Sequence, residues 1–204
     1  MPGITQPVGR RERNKQRVKD RLYASALDLF TEQGYDHTSI DEIAERADVA
    51  RGTFFNYFQR KDDLISAWGE QRRLKLLATL EKEGPAHGAD AASRLYECMA
   101  VLGRINEEER DLTAAMLSAW VKAGRPLTEE PYIGRIFAEV VEAGRSKGEL
   151  TADLAPEHVG NVLHDVYFGI LYRWSQSTTA EQGALERELR AAVKLLLAGI
   201  AVQG

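Results

Sequence analysis

Apolar residues recur along this chain at helical spacings, and nowhere do they alternate in the manner of a half-buried strand. Val18, Leu22, Ala26, Leu29 and Phe30, with the small Ser25 beside them, share one face of a helix expected from about Glu12 to Gln33. Gly34 is expected to close it as a left-handed cap residue, with Tyr35 as that cap's hydrophobic contact. Ser39 and Glu42 stand at capping-box spacing, so a helix starts at Ser39, and Ile40, Ile43, Ala44 and Ala47 form its apolar stripe. Ala47-Asp48-Val49 is the expected turn into a second short helix from about Ala50 to Tyr57.

Longer helices follow. The fourth begins near Lys61-Asp62-Asp63, whose acids suit a helix N-terminus, and runs through Leu64, Trp68, Leu76 and Leu80 to about Glu83. Gly84-Pro85 and Gly88 break the pattern before a fifth helix with Ala91, Leu95, Cys98, Met99 and Leu102. A sixth carries Leu112, Ala115, Met116 and Trp120 and stops at Gly124-Arg125-Pro126. The seventh, from about Pro131 to Lys147, carries Ile133, Ile136, Phe137, Val140 and Val141 and ends at Gly148. Two closing helices are apolar over a wider arc than one core contact needs: Val159, Val162, Leu163, Val166, Tyr167, Ile170, Leu171 and Trp174, then Leu185, Leu189, Val193, Leu196, Leu197 and Ile200. That surplus predicts contact with a second subunit. The fold class is all-α, with about nine helices.

At 204 residues, 44% hydrophobic and 28% charged, the chain has ample length for a buried core. It shows no run of the ~18 apolar residues a membrane helix needs. The basic N-terminus has no apolar stretch behind it, so a cytoplasmic location is expected. A single Cys98 excludes an intramolecular disulfide and reads as a small buried hydrophobe. The net charge of -4 argues against a nucleic-acid partner, but its distribution reverses that argument. Residues 10–21, RRERNKQRVKDR, hold seven Lys or Arg against Glu12 and Asp20, whereas residues 76–204 carry a net -6. Residues 1–9, MPGITQPVG, lack periodicity and are expected to form a disordered arm.

The second short helix offers Arg51, Gly52, Thr53, Asn56 and Tyr57 where a core helix would carry aliphatics, a face suited to a nucleic-acid groove. From about Arg17 to Leu64 the chain resembles the DNA-binding domain of the TetR family of bacterial transcriptional regulators, carried by LFTEQGYDHTSI and then DEIAERADVARGTFFNYFQRKDDL. Departures from the family pattern are Ala50 where Ser is frequent, Phe55 where Tyr is frequent, and Gln59-Arg60 in place of Pro-Ser. The resemblance implies residues 1–63 as a basic arm and three-helix helix-turn-helix domain, and 64–204 as a helical effector-binding and dimerisation domain. It further implies a homodimer, joined through the eighth and ninth helices, that binds an inverted-repeat double-stranded DNA operator and is released by a small, largely apolar effector.

On that template Thr38 and Ser39, at a helix N-terminus, are candidate phosphate contacts. Arg51 is the candidate base reader, since its fork matches guanine O6 and N7. Gly52 admits the duplex closely, Thr53 is placed for a phosphate or a thymine methyl, Phe55 for a thymine methyl, Asn56 for adenine or phosphate, and Tyr57 and Lys61 for phosphate. Phe54 and Phe58 are expected to lock this helix into the core. Candidate effector contacts are Met99, Met116, Trp120, Phe137, His164 and Tyr167. His37, His87 and His158 are scattered without metal-ligand spacing, so neither a metal nor a cofactor is expected. No GxSxG, P-loop or Rossmann glycine pattern points to an enzyme, and Glu107-Glu108-Glu109 reads as a solvated helix start. Within the family fold an activator or a co-repressor-dependent regulator is the alternative. A helical protein-interaction scaffold is more distant, because it leaves the Arg51 face and the basic segment unexplained.

Overall fold

In the computed structural model, residues 9–84, 89–124, 132–177 and 181–200 are described, with the backbone alone for Tyr132, Gly199 and Ile200. The expected arm at residues 1–8, the breakers Pro85, Gly88, Arg125 and Pro126, the start of the seventh helix at Pro131, His87 and the side chain of Ile200 lie outside them. The described residues form α1 (Arg10–Gln33), α2 (Ile40–Arg46), α3 (Arg51–Phe54), α4 (Asp63–Glu83), α5 (Ala91–Glu108), α6 (Arg110–Lys122), α7 (Tyr132–Ser146), α8 (Pro156–Gln176) and α9 (Ala184–Ile200). They divide into two compact units, with the boundary between Ser66 and Ala67 inside α4.

In the first unit α1 packs on α2 and α2 on α3 around Leu22, Ala26, Phe30, Ile43 and Phe54, all fully or almost fully buried. Gly34 takes a positive φ of 84° with an extended ψ of 159°, so it turns the chain without being a left-handed helical cap. Tyr35 then lays its ring against Phe30, with centroids 5.2 Å apart. The capping box forms: the Glu42 amide donates to Ser39 Oγ (3.2 Å) and the Ser39 amide to Glu42 Oε2 (2.7 Å). The second short helix is shorter than its pattern predicts. Ala50 supplies no side-chain cap, and past Phe54 the amides of Asn56 and Tyr57 donate three residues back, to Thr53 and Phe54. The tightened turn carries Phe58 into the core beside Phe54 (centroids 5.6 Å), so the ring that anchors the segment also ends the helix.

In the second unit α5 packs on α6, α7 and α9, and α8 packs on α6, α7 and α9. Three glycines mark close approaches, and at Gly144 on α7 an added Cβ would sit 2.4 Å from Ala91 Cβ of α5. A Cβ at Gly160 on α8 would sit 2.5 Å from the Gly134 carbonyl oxygen of α7, and one at Gly103 on α5 would sit 2.8 Å from Glu186 Cα of α9. The acidic run is not the solvated helix start that its sequence suggests, because each of its outer members ties elements together. Glu107 accepts the Gly183 and Leu185 amides (2.9 and 2.8 Å) and so caps α9. Glu109, at the break between α5 and α6, accepts from Arg72 (2.7 Å) and Lys75 (2.9 Å) of α4. Most of the wide apolar faces of α8 and α9 is consumed within the chain, including Leu163, Ile170, Leu189 and Leu197. Val162, Val166 and Leu196 stay half-buried, and Leu195 is 77% exposed.

Candidate nucleic-acid face and effector cavity

The helix-turn-helix presents Arg51, Gly52, Phe55 and Asn56 to solvent, with Thr53 and Tyr57 half-buried beside them and Phe54 beneath. No side chain meets the space above Gly52, where an added Cβ would have nothing within 4 Å. Arg51 does not stand free: its Nη1 donates to Asp41 Oδ2 (2.9 Å) and Oδ1 (3.2 Å) across the turn from α2. Both partners of that ion pair are about three-fifths exposed, so a phosphate or base can compete for the guanidinium. Sequence spacing gave no hint of this pairing, since residues ten apart meet only once the turn at Asp48 (φ 52°) has folded α3 back on α2.

Ser39 is exposed at the start of α2, whereas Thr38 is buried and its hydroxyl donates to the Gly34 carbonyl (2.9 Å). Lys61 is half-buried, and its Nζ donates to the Tyr35 (2.6 Å) and Thr38 (2.8 Å) carbonyls while lying 4.0 Å from the Tyr35 ring centroid. Burial holds its ammonium pKa below the usual lysine value, against the opposing pull of Asp36, Asp62 and Glu42. Much of the hydrogen-bonding capacity of Thr38 and Lys61 is thus spent holding the α1–α2 connection. Along the start of α1, Arg10, Arg11, Arg13 and Arg17 line a shallow basic groove.

A second candidate site lies inside the other unit. Trp68 and Arg72 of α4, Trp120 of α6, Ile133 of α7, and His164, Tyr167 and Phe168 of α8 enclose a cavity of about 20 Å³. That is room for about one water molecule. Trp120 meets Trp68 and Phe168 edge-on (centroids 6.1 and 5.6 Å), and His164 stacks on Phe168 (6.3 Å). Of the six residues expected to contact an effector, Trp120, His164 and Tyr167 are in this wall. Met99, Met116 and Phe137 are fully buried and do not line it.

Arg72 is 5% exposed, spreads its guanidinium 5.0 Å from the Trp68 ring centroid, and donates to the Ile105 carbonyl (3.3 Å) as well as to Glu109. Burial raises the Glu109 carboxyl, but the hydrogen bond from Lys75 and the Arg72 and Lys75 charges outweigh it and hold the group below the usual carboxylate value. The Tyr167 hydroxyl accepts from Asn106 Nδ2 (3.0 Å), and burial pushes its pKa up to about 12. Burial likewise holds His164 below the ordinary histidine value; Asp165 Oδ1, 3.5 Å from Nδ1, opposes this only in part. Sequence reasoning passed over Phe168 and Arg72. Arg72 follows Trp68 by one helical turn, and this spacing was the available signal.

Residues 22–68 match the model for bacterial regulatory proteins of the tetR family, and residues 73–199 match the C-terminal domain of TetR/AcrR family transcriptional repressors. The HTH-type transcriptional repressor KstR of Mycolicibacterium smegmatis is 30% identical over 188 residues, 91% of this chain and 89% of that one. The HTH-type transcriptional regulator TcmR of Streptomyces glaucescens is 37% identical over 105 residues, 50% of this chain and 44% of that one. The structure of Thermus thermophilus FadR, a TetR-family transcriptional repressor in complex with lauroyl-CoA, superposes with a TM-score of 0.71 at 29% identity, over 91% of this chain and 96% of that one.

Proposed function

Because this chain belongs to the TetR/AcrR family of transcriptional regulators, a family of DNA-binding proteins rather than enzymes, we propose that it is a homodimeric repressor that binds an inverted-repeat operator and is released by a small, largely apolar effector. The observation that carries the reading is the exposed face of Arg51, Gly52, Phe55 and Asn56, held on a capped three-helix unit, in a chain whose other unit contains an aromatic cavity. Arg51 is the base reader, and Ser39, Thr53, Asn56 and Tyr57 supply the contacts around it. The exposed arginines at the start of α1 supply sequence-independent attraction. The repressor activity named for KstR and FadR supports the direction of regulation, and the lauroyl-CoA of FadR supports an apolar effector.

The cavity of about 20 Å³ is far smaller than the ~300 Å³ or more of ordinary ligand sites, so effector binding must favour an expanded state. Trp68 and Arg72 in the cavity wall lie on the same continuous helix as Asp63, whose carboxylate accepts the Gln59 and Arg60 amides (2.8 and 3.0 Å) at the end of the reading segment. That helix is the proposed lever. Coupling of about 1–3 kcal/mol would change operator affinity roughly 5- to 150-fold. Dimerisation uses the remaining apolar surface of α8 and α9 around Leu195 and Leu196. A gel shift on the intergenic DNA upstream of the protein's own gene tests the proposal: a retarded band lost when an inverted repeat is scrambled supports it, and no sequence-dependent shift refutes it.

A further inference from the structure

On the reading of the aromatic cavity as the effector site, we propose that its ligand carries an uncharged carbonyl oxygen on an apolar body, and that the indole N–H groups of Trp68 and Trp120 donate to that oxygen. Among the described residues the indole nitrogens of Trp68 and Trp120 are buried without a hydrogen-bond partner, and both rings belong to this single wall; His164 Nδ1, in the same wall, has Asp165 Oδ1 at 3.5 Å. A buried donor without an acceptor has lost its hydration with nothing in exchange, so such groups are rare and call for a physical reason. Two indoles meeting edge-on in one small cavity, each with an unanswered N–H, are matched by an acceptor that arrives with a ligand.

The charge state follows from the cation in the same wall. Arg72 is already engaged by Glu109 and the Ile105 carbonyl, so a carboxylate entering here would have to compete with Glu109 while losing its own hydration. A ketone, ester or thioester oxygen would not. The surrounding rings of Trp120, Phe168 and Tyr167 supply the apolar contact for the rest of the molecule.

Calorimetric titration of the full chain with three probes that share one body tests this: naphthalene, 2-acetonaphthone and 2-naphthoate. The ketone is expected to bind at least ~10-fold more tightly than naphthalene, about 1.4 kcal/mol, and more tightly than the carboxylate. In Trp120→Phe combined with Trp68→Phe the ketone-to-naphthalene ratio should fall to near one. Taking the ratio cancels the change in ring size, which affects both probes. A ratio near one in the unaltered chain, a ratio unchanged by the double substitution, tightest binding by 2-naphthoate, or no binding of any probe overturns the inference. A gel shift run alongside separates this result from the broader reading. Operator binding that survives a negative titration removes only the ligand assignment. The expected ratio with no effect of the ketone on operator binding leaves the assignment standing and removes induction.

Discussion

Replacing Gly160 with alanine strikes a close crossing of α7 and α8 in the second unit, and the backbone atoms it meets fix the sign of the effect. The new Cβ would lie 2.5 Å from the Gly134 carbonyl oxygen and 2.9 Å from both the amide nitrogen and the Cβ of Ala138. Those distances fall roughly 0.6–1 Å short of the ~3.5 Å at which non-bonded atoms rest. Two of the three obstructing atoms are backbone, so relief requires α8 to withdraw from α7 rather than a side chain to rotate. Overpacking of this kind costs about 1–3 kcal/mol, against which alanine recovers up to about 1 kcal/mol of helix propensity over glycine. The net expectation is a loss of about 1–2 kcal/mol, or about 2–8 °C in melting temperature for a chain of this size. Gly169→Ala on the same helix is the control. Its nearest neighbour would be Arg173 Nη1 at 3.6 Å, so only the propensity gain remains and the melting temperature should rise by a few degrees, about 2–4 °C. Thermal denaturation followed by circular dichroism measures both, and a Gly160→Ala protein as stable as Gly169→Ala would refute the close-crossing argument. Because α7 and α8 both contribute to the cavity wall, the same substitution should also alter probe affinity there.

Three further outcomes are expected. Arg51→Ala should lose about 1–3 kcal/mol on the operator and relax preference at one base pair, whereas Lys61→Met should lower folding stability, since its ammonium holds two carbonyls; operator titrations with single-base variants and urea melts separate the two, and uniform loss of affinity without a change in preference would contradict the role of Arg51. Leu195→Glu, at an exposed position, should leave helix content intact and make the protein sediment as a monomer at micromolar concentration, while the same change at Leu197, 6% exposed, should disrupt the fold itself; a dimeric Leu195→Glu protein would remove α9's exposed face from the interface. His164 is held below its ordinary value of 6.5 by burial, so the unfolded chain binds the extra proton first and stability should fall as pH is lowered from about 6.5 toward the folded value; His164→Gln should flatten that limb of the urea-midpoint profile, and an unchanged slope would show that His164 does not contribute to it.

The local features were legible in the chain because their causes are local. Ser39 and Glu42 stand three residues apart and do what that spacing permits. The apolar stripe of α1 and the ring of Tyr35 follow in the same way. The early end of α3 was not legible, because it depends on Phe58 reaching a core that only the folded unit provides. The same holds for Arg51, whose partner Asp41 is set by the turn and not by sequence proximity. In the second unit, Met116, Phe137 and Trp120 are equivalent as apolar positions on helices, and only packing decides that Trp120 faces a cavity while the others fill the core. Glu107 and Glu109 illustrate the converse error: a run of acids looks solvated until the amides and cations that it meets, dozens of residues away, come into view.

The pairing of Arg51 with Asp41 has a kinetic consequence. A guanidinium whose charge is answered by a neighbouring carboxylate contributes little to long-range attraction, so the speed of approach to a duplex would be set by the exposed arginines at the start of α1 and would fall steeply with salt. Arg51 would enter late, when a base edge offers it better geometry than Asp41 does, and its influence would be felt in residence time. Fast, indiscriminate arrival and slow, selective departure would then be assigned to different residues of the same small unit. Asp41→Asn, by leaving the Arg51 charge unanswered, should both quicken first encounter at low salt and lengthen dwell on unrelated DNA, turning a searching protein into one that lingers in the wrong places.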